Sequence, residues 1–424
     1  MCKNIYGIIW IGGSQIILLI INLLLLKILT QKLTVADYGF YALCLTVILF
    51  VRQIIYDPFS MVIAKEASKN TSLGKKLIIE FWVVKYAIDR FSLSILIAAS
   101  LLFFVTYLFW GVNNCTVALI ICSLYLMANG AQGVYINIFN AVKERKIAAL
   151  FLIADSLIKF LMVIFFIEFV GNDVNDVLSA IAAAAMATFF MMRFYMGNKN
   201  IKMQIPKAKI KNLNSKYLIL SLPILLPTIL NALRSVGDRW ILTALIGLDE
   251  LAAYSVLLQI GYLPVILILG VFQTYIGPRI YEMCERKDAI NLKDFLIKII
   301  LMTFILCVFT GFFSYIFSEI IFKILIGQKY KPYSVFLPIF TLAASISAGA
   351  TIIQNMVFGY FNTKISSSII LFANITGILI ALILTYFFNF VGAAIGLGVM
   401  ALMSFLIFSL VMIAKLFAPT RLDM

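Results

Sequence analysis

The sequence predicts an all-α integral membrane protein with twelve transmembrane helices in two six-helix bundles, and three observations predict it. Of 424 residues, 63% are hydrophobic and only 12% are charged, whereas a water-facing protein carries about 25% charged residues to solvate its surface. Apolar runs long enough to cross a hydrocarbon core, which takes about 20 helical residues, recur from end to end. The connectors between those runs alternate, long and basic on one side, short and neutral or acidic on the other. Backbone amides have no water to pair with in lipid, so such runs must be helical. The ten-residue strand alternation of a membrane β-barrel is not present.

The runs place spans at 5–28, 38–62, 83–108, 114–141, 147–169, 176–197, 213–243, 250–277, 296–317, 332–358, 365–387 and 392–415. The first is too long for the apolar core of a cleavable leader and lacks a small-residue cleavage site, so it is expected to remain as a span. With the N-terminus in the cytoplasm, cytoplasmic segments hold 23 of the 34 Lys and Arg residues. External loops and the span ends that lead into them hold five: Lys27, Lys32, Lys323, Lys329 and Lys331. Positive charge stays inside, which predicts a bacterial cytoplasmic (inner) membrane with both termini cytoplasmic. One span more or fewer would scramble the alternation.

The longest cytoplasmic connector, 198–216, is basic, contains Pro206 and falls near mid-chain. It is expected to link an N-terminal bundle, 1–197, to a C-terminal bundle, 217–424. Internal similarity agrees: Ala36-Asp37-Tyr38-Gly39-Phe40-Tyr41-Ala42-Leu43 follows the first span, and Asp249-Glu250-Leu251-Ala252-Ala253-Tyr254-Ser255-Val256 follows the seventh. Tandem halves are a common transporter architecture, with the substrate path between them.

A net charge of +15 on a soluble protein would point to nucleic acid. Here the placement of charge matters more than its sum, and no nucleic-acid partner is expected. The six cysteines are scattered without a CxxC pair, and there is no histidine. That pattern predicts no disulfide framework, no metal site and no cofactor. It also excludes histidine-based catalysis or proton relay.

A charge near the bilayer centre costs about 2.5–3.5 kcal/mol on insertion scales, so each one needs a reason. Apart from residues at span ends that are counted with the flanking loops, six cations lie within predicted spans: Arg52, Lys85, Arg90, Lys159, Arg234 and Arg239. Their anionic companions are Asp57, Asp89, Asp155 and Asp238. Lys85/Asp89, Asp155/Lys159 and Arg234/Asp238 are spaced i,i+4, where side chains meet on one helix face. Lys85 is near a helix end and can snorkel, so its pair reads equally well as structural, whereas Asp155/Lys159 is mid-span. The cations outnumber the anions, with Arg52 and Arg90 least obviously neutralised. Guanidinium groups suit bidentate recognition of phosphate and carboxylate, so a cavity lined by these six cations would hold an anionic headgroup. Asp57, Asp155 and Asp238 are the carboxylates expected to carry a proton or sodium ion, or to pair the cations. Pro223 and Pro227 remove backbone donors from the seventh span, which predicts a bend and a gating hinge. Gln15, Asn22, Asn129, Asn137 and Asn140 read as interhelical hydrogen-bonding residues.

Several motifs resemble one family. Leu33-Thr34-Val35-Ala36-Asp37-Tyr38-Gly39-Phe40-Tyr41-Ala42-Leu43 resembles the segment after the first span of polysaccharide exporters, the Wzx-type O-antigen flippases. Ser221-Leu222-Pro223, Asp238-Arg239-Trp240-Ile241-Leu242, Gly247 to Ser255 and Ile326-Gly327-Gln328-Lys329-Tyr330 resemble that family's second-half motifs in the same order. The resemblance implies the multidrug/oligosaccharidyl-lipid/polysaccharide exporter fold, two bundles forming a V around a cationic lumen. It implies a flippase, not an enzyme, that carries undecaprenyl-diphosphate-linked glycan repeat units for O-antigen or similar polysaccharide biosynthesis. Transfer would run from the cytoplasmic to the periplasmic leaflet by alternating access, alongside other polysaccharide assembly proteins. Only Asp238 and Arg239 are carried over from the motifs; the other site residues rest on depth in the membrane. One alternative is a membrane-embedded glycan polymerase or ligase, which typically needs a larger external loop than any here. The other is a same-fold exporter of another substrate. A drug exporter of cations would favour an anionic cavity, and a lipid II flippase typically carries two further C-terminal spans.

Overall fold

The structure, a computed structural model, describes residues 2–69, 91, 93–101, 115–141, 144–197, 225, 228–286, 288–361 and 363–417. Among them no strand occurs. In chain order the helices are α1 (Cys2–Lys32), α2 (Val35–Ile55), α3 (Asp57–Lys69), α4 (93–101), α5 (Cys115–Ala141), α6 (Arg145–Phe169), α7 (Val174–Gly197), α8 (228–245), α9 (Leu248–Glu285), α10 (Ala289–Leu325), α11 (Leu337–Tyr360) and α12 (Thr363–Phe417). A 3₁₀ segment, Gln328–Phe336, leads into α11.

Nine stretches among the described residues are long and apolar enough to cross a membrane, and this is a multi-pass membrane protein. The 55 residues of α12 would make a straight rod about 80 Å long at about 1.5 Å per residue, against a hydrocarbon core of about 30 Å. Asn389 breaks that rod with φ 52° and ψ −132°, a positive-φ conformation that Asn tolerates better than most residues. The arms fold back antiparallel: Gly377 lies against Met400, and a Cβ on Gly396 would sit 3.0 Å from the Ala381 Cα. So α12 supplies two of the predicted spans. Since α4 and α8 fall inside the third and seventh, the helices agree with twelve.

The boundaries depart from the sequence reading in two places. Helices α9 and α10 run well beyond the expected 250–277 and 296–317. Hydropathy marks only the hydrocarbon-embedded part of a helix, and the extra turns of α10 carry Lys293, Asp294, Glu319 and Lys323. The second span is interrupted at Tyr56, between α2 and α3. Pro58 has no N–H to give to the preceding turn, while Tyr56 N and Ser60 N still donate to Arg52 O and Tyr56 O.

The chain packs as two compact units, Met1–Val236 and Gly237–Met424. In the first, α1 and α6 run parallel, because Lys146 covers the Trp10 ring at one end and Lys32 meets Glu168 at 3.1 Å at the other. Helix α5 is parallel to α2 and α3 through Arg52–Asn129 and Ser60–Asn137. It is also parallel to α7, through Tyr135–Phe189 and Phe139–Tyr195. In the second unit α9 and α11 are parallel, with Tyr254 on Phe340 and Tyr262 near Ser347. Helices α10 and α11 are antiparallel: Thr310 faces Ser345 and Ser314 faces Thr341. These directions are the ones that alternating spans require.

Lipid tails are as apolar as leucine, so helix association here relies on close packing of small residues. Ala180, Ala184 and Ala185 of α7 and Ala343, Ala344 and Ala350 of α11 are buried accordingly. Phe304, Phe309, Phe312 and Tyr315 of α10 remain exposed, as lipid-facing side chains do.

Both repeated motifs start a helix. Thr34 caps α2, its hydroxyl accepting from Asp37 N at 3.2 Å. Gly247 precedes α9 with φ 125°, a conformation that favours glycine. Tyr41 and Tyr254, at matching positions of the two motifs, are both buried. Between the eighth and ninth spans, Asp288 caps α10. Hydrogen bonds from the Asn291 side chain and backbone hold its carboxyl below the usual range.

Candidate functional site

Among the described residues, an intramembrane carboxylate gathers polar side chains around it in each unit. The first group is built on α5. Tyr125, Asn129 and Gln132 follow i, i+4, i+7 spacing, so they share one face of that helix. Each reaches a different neighbour. Arg52 of α2 donates from Nη1 to Asn129 Oδ1 at 2.9 Å. Gln132 donates from Nε2 to Ala185 O at 2.6 Å and to the Thr188 hydroxyl, both on α7. Lys159 of α6 lies 5.5 Å from the centre of the Tyr125 ring.

Thr188 extends this group. Its hydroxyl donates to Asp155 Oδ1 at 2.9 Å, and Lys159 Nζ holds Asp155 Oδ2 at 2.5 Å. The result is a continuous chain, Gln132 to Thr188 to Asp155 to Lys159, joining α5, α7 and α6. Gln132, Thr188 and Asp155 are buried. A buried ion pair survives only with further hydrogen bonds on its remaining lone pairs, and Thr188 supplies one. This cation is therefore neutralised within its own helix.

Arg52 is different. The partner of its Nη1 is a neutral amide, and its buried Nε has no hydrogen-bond partner among the described residues. Asp57, in the first turn of α3, is near enough for the two charges to interact. At the next position of α2, Gln53 Oε1 accepts from the Ser235 hydroxyl of α8 at 3.3 Å. A guanidinium with a spare N–H inside a span is chemically ready for an anion.

The second group centres on Asp238. Tyr254, fully buried on α9, donates to Asp238 Oδ2 at 2.6 Å. Arg239 N donates to Asp238 Oδ1 at 2.8 Å. The Tyr254 ring is fixed edge-on between Phe340 and Phe390. The Arg239 Nε is buried and has no hydrogen-bond partner among the described residues. Arg234 is half-buried one turn earlier on α8.

The structure thus joins Asp155 with Lys159, and places Arg52 close to Asp57. Lys85, Asp89, Arg90, Pro223 and Pro227 lie outside the described residues, as does the 198–216 linker. Four participants had not been singled out: Tyr125, Gln132, Thr188 and Tyr254. The helical spacing of Tyr125 and Gln132 with Asn129 was a signal for the first two. Thr188 and Tyr254 carry no such mark, because only tertiary packing brings them to the carboxylates. No group of metal-ligating side chains occurs among the described residues.

Solved structures with this helix arrangement are membrane transporters. The lipid II flippase MurJ, in an inward closed conformation, aligns over 98% of this chain and 88% of its own, with a TM-score of 0.68 at 16% identity. An outward-facing multidrug resistance MATE family transporter of the MOP superfamily aligns over 97% and 95%, with a TM-score of 0.63 at 15% identity. A MOP superfamily transporter from Pyrococcus furiosus, noted for reverse polarity of its binding pocket, aligns over 97% and 96%, with a TM-score of 0.55 at 14% identity. The fold is that of the MOP superfamily transporters. Residues 5–284 match the family described as polysaccharide biosynthesis protein, and the chain belongs to that family. Among curated proteins none matches it in sequence.

Proposed function

We propose that this protein is a flippase that moves undecaprenyl-diphosphate-linked glycan repeat units, of O-antigen or a similar polysaccharide, from the cytoplasmic to the periplasmic leaflet. The observation that carries the reading is Arg52, an intramembrane guanidinium held by a neutral amide with its Nε unpartnered among the described residues. An idle charge at that depth costs about 2.5–3.5 kcal/mol, and a diphosphate would repay it through charge-assisted hydrogen bonds. Family membership and a fold shared with a lipid II flippase support the same substrate chemistry.

In this reading Arg239, with Lys85, Arg90 and Arg234, completes a cationic path, while Lys159 serves as a structural counter-ion to Asp155. Asp57 and Asp238 are the carboxylates available to carry a coupling proton or sodium ion. The six-helix halves are 1–197 and 217–424, joined by 198–216, with Pro223 and Pro227 as the hinge of alternating access. The charge bias of the connectors supports an inner-membrane placement with both termini in the cytoplasm. Against a polymerase or ligase stand the short external connections, such as 33–34 between α1 and α2 and 170–173 between α6 and α7.

Deletion of the gene in its native host tests the proposal. Surface glycan should disappear, and complete lipid-linked repeat units should accumulate on the cytoplasmic leaflet. Single repeat units exported onto the surface acceptor would instead mark a polymerase and overturn the flippase reading.

A further inference from the structure

We propose that a polar, uncharged seam formed by α9 and α11 within the second unit binds the sugar hydroxyls of the glycan, apart from the cations that take its phosphates. The proposal rests on the flippase reading above.

The seam begins on the second half of α11. Ser347, Thr351 and Asn355 recur at i, i+4 and i+8 and are all half-exposed, while Ala350, Ile353, Met356 and Val357 around them are buried. The three side chains span about 12 Å at about 1.5 Å per residue. Helix α9 presents a matching stripe. Gln259, Tyr262 and Gln273 are half-exposed on one face. One turn before Gln259, Ser255 keeps a buried hydroxyl oxygen without a hydrogen-bond partner among the described residues.

The two stripes are continuous. Tyr262 OH and Ser347 Oγ are 3.3 Å apart. The helices can approach this closely because residue 261 is glycine: a Cβ there would lie 3.0 Å from Phe340 Cβ and 3.2 Å from the Phe340 carbonyl carbon.

Lipid is an unsuitable neighbour for such a surface. Away from the helix ends, exposed positions of α10 and α12 in the same unit include Phe304, Phe309, Phe312, Ile383 and Phe387, which is how a tail-facing surface reads. Polar side chains within spans face the bundle interior or a water-filled cavity. The seam also lacks formal charge: no Asp, Glu, Lys or Arg occurs from residue 251 to 278, or anywhere in α11. It therefore lacks the charge-assisted contacts that favour a diphosphate. Hydroxyl and amide groups both donate and accept, which is the pattern a sugar hydroxyl displays. Tyr262 and Phe358 add half-exposed rings against which the apolar face of a pyranose can lie.

The test uses full-length protein in lipid nanodiscs and, as probe, the lipid-free repeat-unit oligosaccharide released from the host's surface polymer. Isothermal titration should show binding to the wild-type chain, weakened about tenfold or more by Ser347→Ala/Thr351→Val/Asn355→Leu, as expected for losing two or three hydrogen bonds. Thr376→Val, which removes a hydroxyl from α12, should leave binding unchanged. The triple variant should also export less glycan per molecule when it replaces the native gene. Should it fail to fold, Asn355→Leu alone carries the same measurement. Unchanged oligosaccharide binding and export in the seam variants would overturn the seam while leaving the flippase reading in place. If deletion of the gene leaves surface glycan intact, both fall together, because the seam's ligand is then not a translocated glycan.

Discussion

Lys159 Nζ lies 2.5 Å from Asp155 Oδ2, one turn away on the same helix. An expected member of the substrate-binding cations is thus already engaged, and among the described residues Arg52 and Arg239 keep an unpartnered Nε. Removing Asp155 alone would strand an ammonium in the membrane interior. Asp155→Ala should destabilise the protein by about 3–5 kcal/mol, visible as a lower melting temperature in detergent and reduced abundance. Asp155→Ala/Lys159→Met should recover most of that loss. A single variant that melts with the wild type would show that the pair has no structural role.

Tyr254 ties α9 to α8 through Asp238. Tyr254→Phe keeps the ring between Phe340 and Phe390 and deletes only the donor, so the carboxylate loses its side-chain hydrogen bond from α9. The expected cost is about 1–3 kcal/mol, measured by thermal unfolding. The double variant of Tyr254→Phe and Asp238→Asn should cost less than the sum of the two single changes, since both disturb one shared hydrogen bond.

Arg52 tests the binding role directly. Arg52→Lys preserves charge but not the planar fork, and under the flippase reading it should lower glycan export per molecule by about tenfold. Arg52→Ala should lower it further. Asn129→Ala should have the smaller effect, because it frees Nη1 without removing the guanidinium. Export unchanged in Arg52→Ala would remove this residue from the substrate path.

Gly396 is required by the fold of the last two spans. Gly396→Leu forces a side chain against the Ala381 backbone and should cost about 1–3 kcal/mol through overpacking. Gly398→Leu, where a Cβ meets nothing within 4 Å, is the matched control. Equal melting temperatures for the two variants would contradict the hairpin register.

The span plan was readable because hydropathy and connector charge report directly on the bilayer. Pairs within one helix, such as Asp155 and Lys159, were readable too, since helical geometry alone sets their meeting. Arg52 against Asn129 was not, although both residues were noted, because parallel packing of α2 on α5 fixes that contact. Thr188 lies among alanines and looks like packing until α7 is set against α6. The break at Asn389 was legible as a gap between apolar runs, but its geometry depends on a backbone conformation that composition does not encode. The overrun of α9 and α10 was hidden because their final turns are polar enough to read as loop.

The folded-back arms of α12 bear on the order of biosynthesis. Their contacts join residues close in sequence, Ala381 with Gly396 and Gly377 with Met400, so closing the hairpin demands little chain entropy and can be fast. Each arm therefore finds its partner within the same short stretch of chain and depends little on distant segments to do so. The two arms can enter the bilayer as a self-contained pair of helices, leaving docking onto α11 as a late step in assembly of the second unit.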